Sequence, residues 1–157
     1  MPKATSPRRG STRIRPAAAA DLPDLERIEI EQFSNPWSRD YFAAELANSF
    51  SHIAVAVDPR PGTVVGYLLF WKLGDELELH KIAVAGAWQR QGHAARLLDH
   101  FLRAGRDWGC RRAVLEVRAA NVPAIRLYEK FAFRRAGRRR DYYVKPVEDA
   151  LIYEFVF

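Results

Sequence analysis

The sequence has little cysteine: one residue, Cys110, in 157. An intramolecular disulfide and a cysteine-built zinc site are therefore excluded. The usage fits a reducing compartment, and a cytoplasmic location is expected. Long hydrophobic runs are missing too. None approaches the roughly 20 residues of a membrane-spanning helix, so no membrane partner is expected. Met1–Arg13 has no apolar stretch, which excludes a secretory signal there. His80, His93 and His100 lack metal-ligand spacing, and no metal is expected. No internal repeat is visible.

What is present is globular. Hydrophobic residues make up 48% and charged residues 28%, close to the averages of folded domains. One domain accounts for the length. A chain of this size buries roughly 68–70% of its unfolded surface. The net charge of +6 is unevenly spread. Residues 1–15 carry five basic side chains and no acid, and residues 134–145 carry six against Asp141. Each stretch sums to +5, so the remainder sums to −4. A basic tail and one basic strand are weaker evidence for nucleic acid than a basic face. Nucleic acid is not expected to be an essential partner.

Residues 1–12 are rich in Pro, Ser, Gly and Arg and read as a disordered basic tail ahead of a domain at 13–157. Thr12–Pro16 is a β-competent first strand. Asp21 can cap a helix whose apolar stripe is Leu22, Leu25, Ile28 and Phe33. Asn35–Ser38 breaks that helix, and Ser38 can cap a second one through Ala47. Strands follow at His52–Val57, Thr63–Lys72 and Glu76–Val84. A long helix runs from about Gln91 to Trp108, with Gly109 as its stop. Arg112–Arg118 is a strand and Val122–Phe131 a helix. Phe133–Tyr143 and Ala150–Phe157 close the chain as strands. The order β-α-α-β-β-β-α-β-α-β-β describes a mixed α/β domain built on one sheet.

Chemistry concentrates first in Gln89-Arg90-Gln91-Gly92-His93-Ala94, between a strand and a long amphipathic helix. A small turn there puts free backbone N–H groups at a helix N-terminus, where the dipole favours anions. Gly92 allows close approach of a phosphate, and Arg90 can add a charge-assisted contact. The plain alternative is an ordinary turn opening a helix. No Gly-Lys-Ser/Thr follows, so this is not a P-loop, and a single Gly is not a dinucleotide fingerprint.

The spacing Gln89…Gly92…Ala94 resembles the acetyl-CoA pyrophosphate signature of the Gcn5-related N-acetyltransferases (GNAT). The element order resembles that family's order from Thr12 onward. Leu115–Asn121 followed by Ala124–Glu129 is similar to the bacterial ribosomal-protein alanine N-acetyltransferases, the RimI type. So are Pro36-Trp37-Ser38, Arg140–Tyr143 and Glu148-Asp149-Ala150. The resemblance implies a GNAT fold, a mixed and mostly antiparallel seven-stranded sheet flanked by four helices. It also implies acetyl-CoA as co-substrate and the N-terminal alanine of a ribosomal protein (small-subunit protein S eighteen) as acceptor; a monomer is expected.

Acetyl transfer needs a neutral amine, a proton donor for the leaving thiolate and an N–H for the oxyanion. On spacing alone, Glu116 is a solvated strand glutamate or a base, and Tyr128 a core aromatic or an acid. Asn121 is an N-cap or a cofactor contact. The resemblance makes Glu116 the general base and Tyr128 the acid. It assigns the cofactor to Ile82, Ala83, Val84, Arg90, Gln91, Gly92, His93, Ala94, Ala95 and Asn121, with the pantetheine arm where the fourth and fifth strands splay apart. Trp37, Tyr142 and Tyr143 are packing aromatics or line the peptide groove. Arg134, Arg135 and Arg138–Arg140 read as a solvated strand face, with ribosomal RNA contact as the alternative. Glu26, Glu29 and Glu31 are a solvated helix face or an attractant for a basic substrate. Cys110 lies away from every motif, which favours direct attack over a covalent enzyme intermediate. Rival readings are a GNAT acting on a small amine or on other protein N-termini, and an RNA- or ribosome-binding module without catalysis. The chain departs from the pattern at His93, at the polar pair His80-Lys81, and at Ala132, where Gly is usual.

Overall fold

A computed structural model describes residues 12–157; the tail residues 1–11 lie outside the described residues. Seven strands and four helices follow in the expected order: β1 (Arg13–Pro16), α1 (Leu22–Gln32), α2 (Arg39–Ala47), β2 (Ser51–Val57), β3 (Val64–Leu73), β4 (Glu76–Val84), α3 (His93–Asp107), β5 (Arg112–Arg118), α4 (Val122–Lys130), β6 (Arg134–Val144) and β7 (Val147–Val156). The strands form one sheet in the order β1-β2-β3-β4-β5-β7-β6. β1/β2, β5/β7 and β6/β7 pair antiparallel, and β4/β5 pairs parallel. No helix of the described residues is long and apolar enough to cross a membrane.

Backbone packing groups the chain into two compact units, one running to Leu69 and including Lys81–His100, the other comprising Phe70–His80 and Phe101–Phe157. In the first, Leu25 and Ile28 sit one turn apart on α1 and are fully buried. β2 and β3 carry near-continuous apolar runs, and Ile53–Val57 and Val64–Leu69 are buried throughout. Asp24 Oδ2 accepts from the Val64 N–H at 3.2 Å and Arg27 donates to the Val64 carbonyl at 2.9 Å, which pins α1 to β3. Phe42 meets Tyr67 edge-on at 5.4 Å. In the second unit, β5 alternates, with Ala113, Leu115 and Val117 inward. Phe70 packs edge-on against Phe101 at 5.1 Å.

Differences from expectation have local causes. α3 starts at His93, not Gln91, because Arg90 (φ 61°) and Gly92 (φ 87°) are left-handed and cannot be helical. It ends before Trp108, which is 44% exposed rather than on the buried stripe. β7 starts three residues earlier than Ala150, because Val147 and Glu148 pair with Val144 and Tyr143 across a tight connection. The mixed polarity of Val147–Asp149 hid that extension. Short 3-10 turns at Ala19–Asp21 and Gly86–Trp88 had no periodic signal to announce them.

Candidate active site

Within the first unit, β4 ends in Ile82-Ala83-Val84, with Ala83 and Val84 buried. Gly66 of β3 lies so close that a Cβ there would sit 3.0 Å from the Ala83 carbonyl oxygen. Gln89 then ties the turn back, donating to the Val84 carbonyl at 3.0 Å and to Gln32 Oε1 at 2.7 Å. Gln91 donates to the Ala87 carbonyl at 3.1 Å. Arg90 and Gly92 are both exposed and left-handed, and a Cβ on Gly92 would meet nothing within 4 Å. His93, Ala94 and Ala95 form the first turn of α3, whose leading N–H groups have no partner within the helix. A left-handed turn with open space ahead of a helix N-terminus is a geometry that can accept an anion.

His93 faces away from solvent. It is 2% exposed, its Nδ1 lies 3.1 Å from Thr12 Oγ1, and its ring packs on Trp88 at 5.6 Å. Burial, aided by Arg96, holds its pKa below the ordinary histidine range. The side chain is core, and only the backbone of His93 belongs to the turn.

The acidic helix face is not what the sequence predicts. Glu29 is fully buried. Its carboxylate accepts from Tyr67 Oη, from Lys81 Nζ at 2.6 Å and from the Trp37 N–H at 3.0 Å. The Lys81 ammonium also sits over the rings of Phe33 and Trp37, 4.2 and 4.1 Å from their centroids. Burial lowers the Lys81 pKa, with Glu29 opposing that shift. Burial first, then Glu29, pushes the Tyr67 phenol far up. Glu31 accepts from the Gly86 N–H, which lowers its pKa. Glu29 is thus an internal anchor for the Trp37 loop, where the ring stacks on Tyr41 at 4.2 Å. It is neither a solvated residue nor free to attract a substrate.

In the second unit, Glu116 lies on the face of β5 opposite Leu115 and Val117, half-buried. Arg139 Nε is 2.9 Å from its Oε1. Glu116 raises the pKa of the Tyr142 phenol. Tyr142 and Tyr143 meet edge-on at 5.2 Å, and the Arg118 guanidinium lies 4.0 Å from the Tyr143 ring. Glu116, Tyr142 and Tyr143 are therefore together. Tyr128 on α4 is buried, 5.9 Å from Phe133 ring to ring, and burial pushes its pKa up. Its ring packs in the core, and burial favours the protonated phenol. Asn121 caps α4, its Oδ1 accepting from the Ala124 N–H at 3.3 Å. The parallel register of β4 with β5 runs from Glu76/Arg112 to Leu79/Leu115, while β4 continues to Val84 and β5 to Arg118. Cys110 is buried, which raises its thiol pKa and makes it a poor nucleophile.

Sequence reasoning missed Lys81, Gly66 and Arg139 as site-shaping residues. Glu29 had a signal, since 25, 28 and 29 share one helical face. Arg139 had a weak one, being of opposite strand parity to its neighbours Arg138 and Arg140.

The family model of the acetyltransferase (GNAT) family matches residues 22–133. The ribosomal protein bS18-alanine N-acetyltransferase of Escherichia coli K12 is 34% identical over 134 residues, 84% of this chain and 88% of its own. The crystal structure of the ribosomal-protein-S18-alanine N-acetyltransferase from Escherichia coli has a TM-score of 0.85 at 32% identity, covering 92% of this chain and 93% of that one. Arabidopsis thaliana NAA60 in complex with acetyl-CoA shares the fold, with a TM-score of 0.83 at 21% identity over 93% and 98% of the two chains. Matches of this extent leave one assignment: the chain belongs to the GNAT family of acetyltransferases and is an acyl-transferring enzyme.

Proposed function

We propose that the protein transfers acetyl from acetyl-CoA to the α-amine of an N-terminal alanine, with a ribosomal protein of the bS18 type as acceptor. The observation that carries this reading is a half-buried carboxylate, Glu116, near Tyr142 and Tyr143, on a strand otherwise apolar from Ala113 to Val117. The names of the relatives supply the acceptor class. The turn Arg90–Gly92 and the first turn of α3, through Ala95, hold the pyrophosphate, and Ile82–Val84 hold the pantetheine arm. Asn121 contributes there beyond its capping bond. Trp37, Tyr142 and Tyr143 line the acceptor's path.

Glu116 takes a proton from the acceptor ammonium, whose ordinary pKa of about 7.7–8.0 leaves much of it protonated at neutral pH. The freed nitrogen attacks the thioester carbonyl, forming the C–N bond. A backbone N–H of the 82–84 segment steadies the oxyanion. The C–S bond then breaks and Tyr128 gives its proton to the leaving thiolate. The excess proton on the acylated nitrogen is lost through solvent as the Tyr128 phenolate is reprotonated, leaving a neutral amide and the coenzyme A thiol. Burial keeps that phenol protonated until it is needed.

The test is intact-mass analysis of alanine-starting peptides after incubation with enzyme and acetyl-CoA, followed by pH profiles of two variants. Glu116→Gln should lower kcat/KM by about 10²–10⁴ near neutral pH and recover partly above the amine pKa. Tyr128→Phe should lower kcat with little change in acetyl-CoA affinity, and no pH should rescue it. A Glu116→Gln profile parallel to wild type across pH 6–10 removes Glu116 from the role of base. Near-wild-type turnover by Tyr128→Phe removes Tyr128 from the role of acid.

A further inference from the structure

Strand β6 looks like a run of surface arginines, but its members have different partners. Arg138 pairs with Asp149 of β7. Arg139 instead reaches β5, where its Nε lies 2.9 Å from Glu116 Oε1. The Arg139 guanidinium also lies 5.5 Å from the Tyr142 ring, and Glu116 raises the pKa of that phenol. Residues 139 and 142 have opposite parity, so a regular strand would aim them to opposite faces. The register explains how they meet. Arg139 faces Ala150 and Tyr143 faces Glu148, so three residues of β6 span the single residue Asp149. This bulge is stitched by Asp149, whose Oδ1 accepts from the Asp141 N–H at 2.8 Å, with Asp141 left-handed at φ 49°. A bulge of this kind re-aims side chains.

We propose that Arg139 is the positioning residue of Glu116, fixing the carboxylate through Oε1 so that it meets the acceptor amine as an oriented anion. The inference rests on Glu116 acting as the base. A free glutamate samples several rotamers, and one anchored oxygen removes most of them. The other groups around the carboxylate do not duplicate this. Tyr142 and Tyr143 of β6 are neutral phenols with raised pKa values. Arg118 of β5 is engaged by Glu148 of β7 at 3.3 Å and by the Tyr143 ring. Across β7, Glu116 faces apolar Ile152. On β4, His80 is engaged by Glu78 at 3.2 Å and by the Trp71 ring. Tyr128 of α4 is buried and neutral. Among the described residues, Arg139 is the cation on Glu116.

The Arg139 side chain is 55% exposed and that of Glu116 30%, so solvent screens the pair and the effect is moderate. The experiment measures kcat and kcat/KM from pH 5.5 to 9.5 with an alanine-starting peptide and acetyl-CoA. It compares wild type, Arg139→Gln, Arg139→Lys, Glu116→Gln and the Arg139→Gln/Glu116→Gln double variant. Arg139→Gln should lower kcat by about two- to fivefold with the KM for the peptide little changed. Arg139→Lys should lie between it and wild type, because the charge stays while the planar fork is lost. In the Glu116→Gln background, Arg139→Gln should add nothing. If Glu116→Gln is defective while Arg139→Gln superimposes on wild type across pH, the positioning role is overturned and the base remains. If Glu116→Gln itself matches wild type, the base reading falls and takes this proposal with it.

Discussion

Ala132 shows how one residue carries strain in the open. The α4 exit needs a left-handed residue, and Ala132 adopts φ 69° there. Its N–H donates to the Glu129 carbonyl and the Phe133 N–H to the Tyr128 carbonyl, both at 3.0 Å. Any Cβ in this conformation costs about 1 kcal/mol, which glycine avoids. Ala132→Gly should therefore raise unfolding stability by up to about 1 kcal/mol, moving Tm by about 2–4 °C. The gain is offset by glycine's larger entropy loss on folding. A denaturation midpoint that falls instead would show that the entropy term wins. The departure from glycine was readable in the sequence, and so was its cost. Glu29 was not read, although it shares a helical face with Leu25 and Ile28. A charged residue on an apolar stripe was assigned to solvent. Its partners Lys81 and Tyr67 lie 52 and 38 residues away, and no local pattern points to them.

At the scale of elements, most of the fold was legible because most elements have strong periods. β4 and β5 have the bounds that the apolar alternation predicts, and α2 is capped by Ser38 Oγ on the Tyr41 N–H at 3.2 Å. The anion turn was legible as a Gly ahead of a helix. Its left-handed Arg90 was not, since arginine has no preference that announces φ 61°. The β6 bulge was hidden for a different reason: it depends on Asp149 of another strand. The close approach of β3 to β4 at Gly66 is likewise a tertiary fact. A Cβ there would lie 3.0 Å from the Ala83 carbonyl oxygen, 3.3 Å from Val84 Cγ2 and 3.4 Å from Leu97 Cδ1. Gly66→Ala must displace the backbone of β4 by a few tenths of an ångström. It should destabilise the protein by about 1–3 kcal/mol. If Ile82–Val84 hold the pantetheine arm, acetyl-CoA affinity should also fall, by up to about tenfold. Calorimetry on the folded variant separates the two effects. A loss of stability with an unchanged dissociation constant would move the arm away from this segment.

Across the whole molecule, charge decides how far this acetyltransferase can also bind RNA. The net +6 divides into a basic N-terminal stretch, a basic β6 and a mildly acidic remainder. β6 is less available to phosphates than its composition implies, because Arg138 is held by Asp149 and Arg139 by Glu116. Residues 1–11 carry Lys3, Arg8 and Arg9 and no acid, so deleting them removes three positive charges. A single-stranded RNA contact contributes about 0.7 to the slope of log affinity against log salt. Deletion of residues 1–11 should therefore lower that slope by at most about 2. It should leave kcat/KM for an alanine-starting peptide at the wild-type value, since the residues proposed for acyl transfer all lie between Trp37 and Tyr143. The measurement pairs an RNA salt titration with peptide kinetics on the full chain and the truncated one. A truncated protein that loses peptide turnover in step with RNA affinity would tie the tail to the acyl-transfer reaction. A slope that does not change on truncation would place the phosphate contacts on β6, with Arg134, Arg135 and Arg140 as the cations to substitute next.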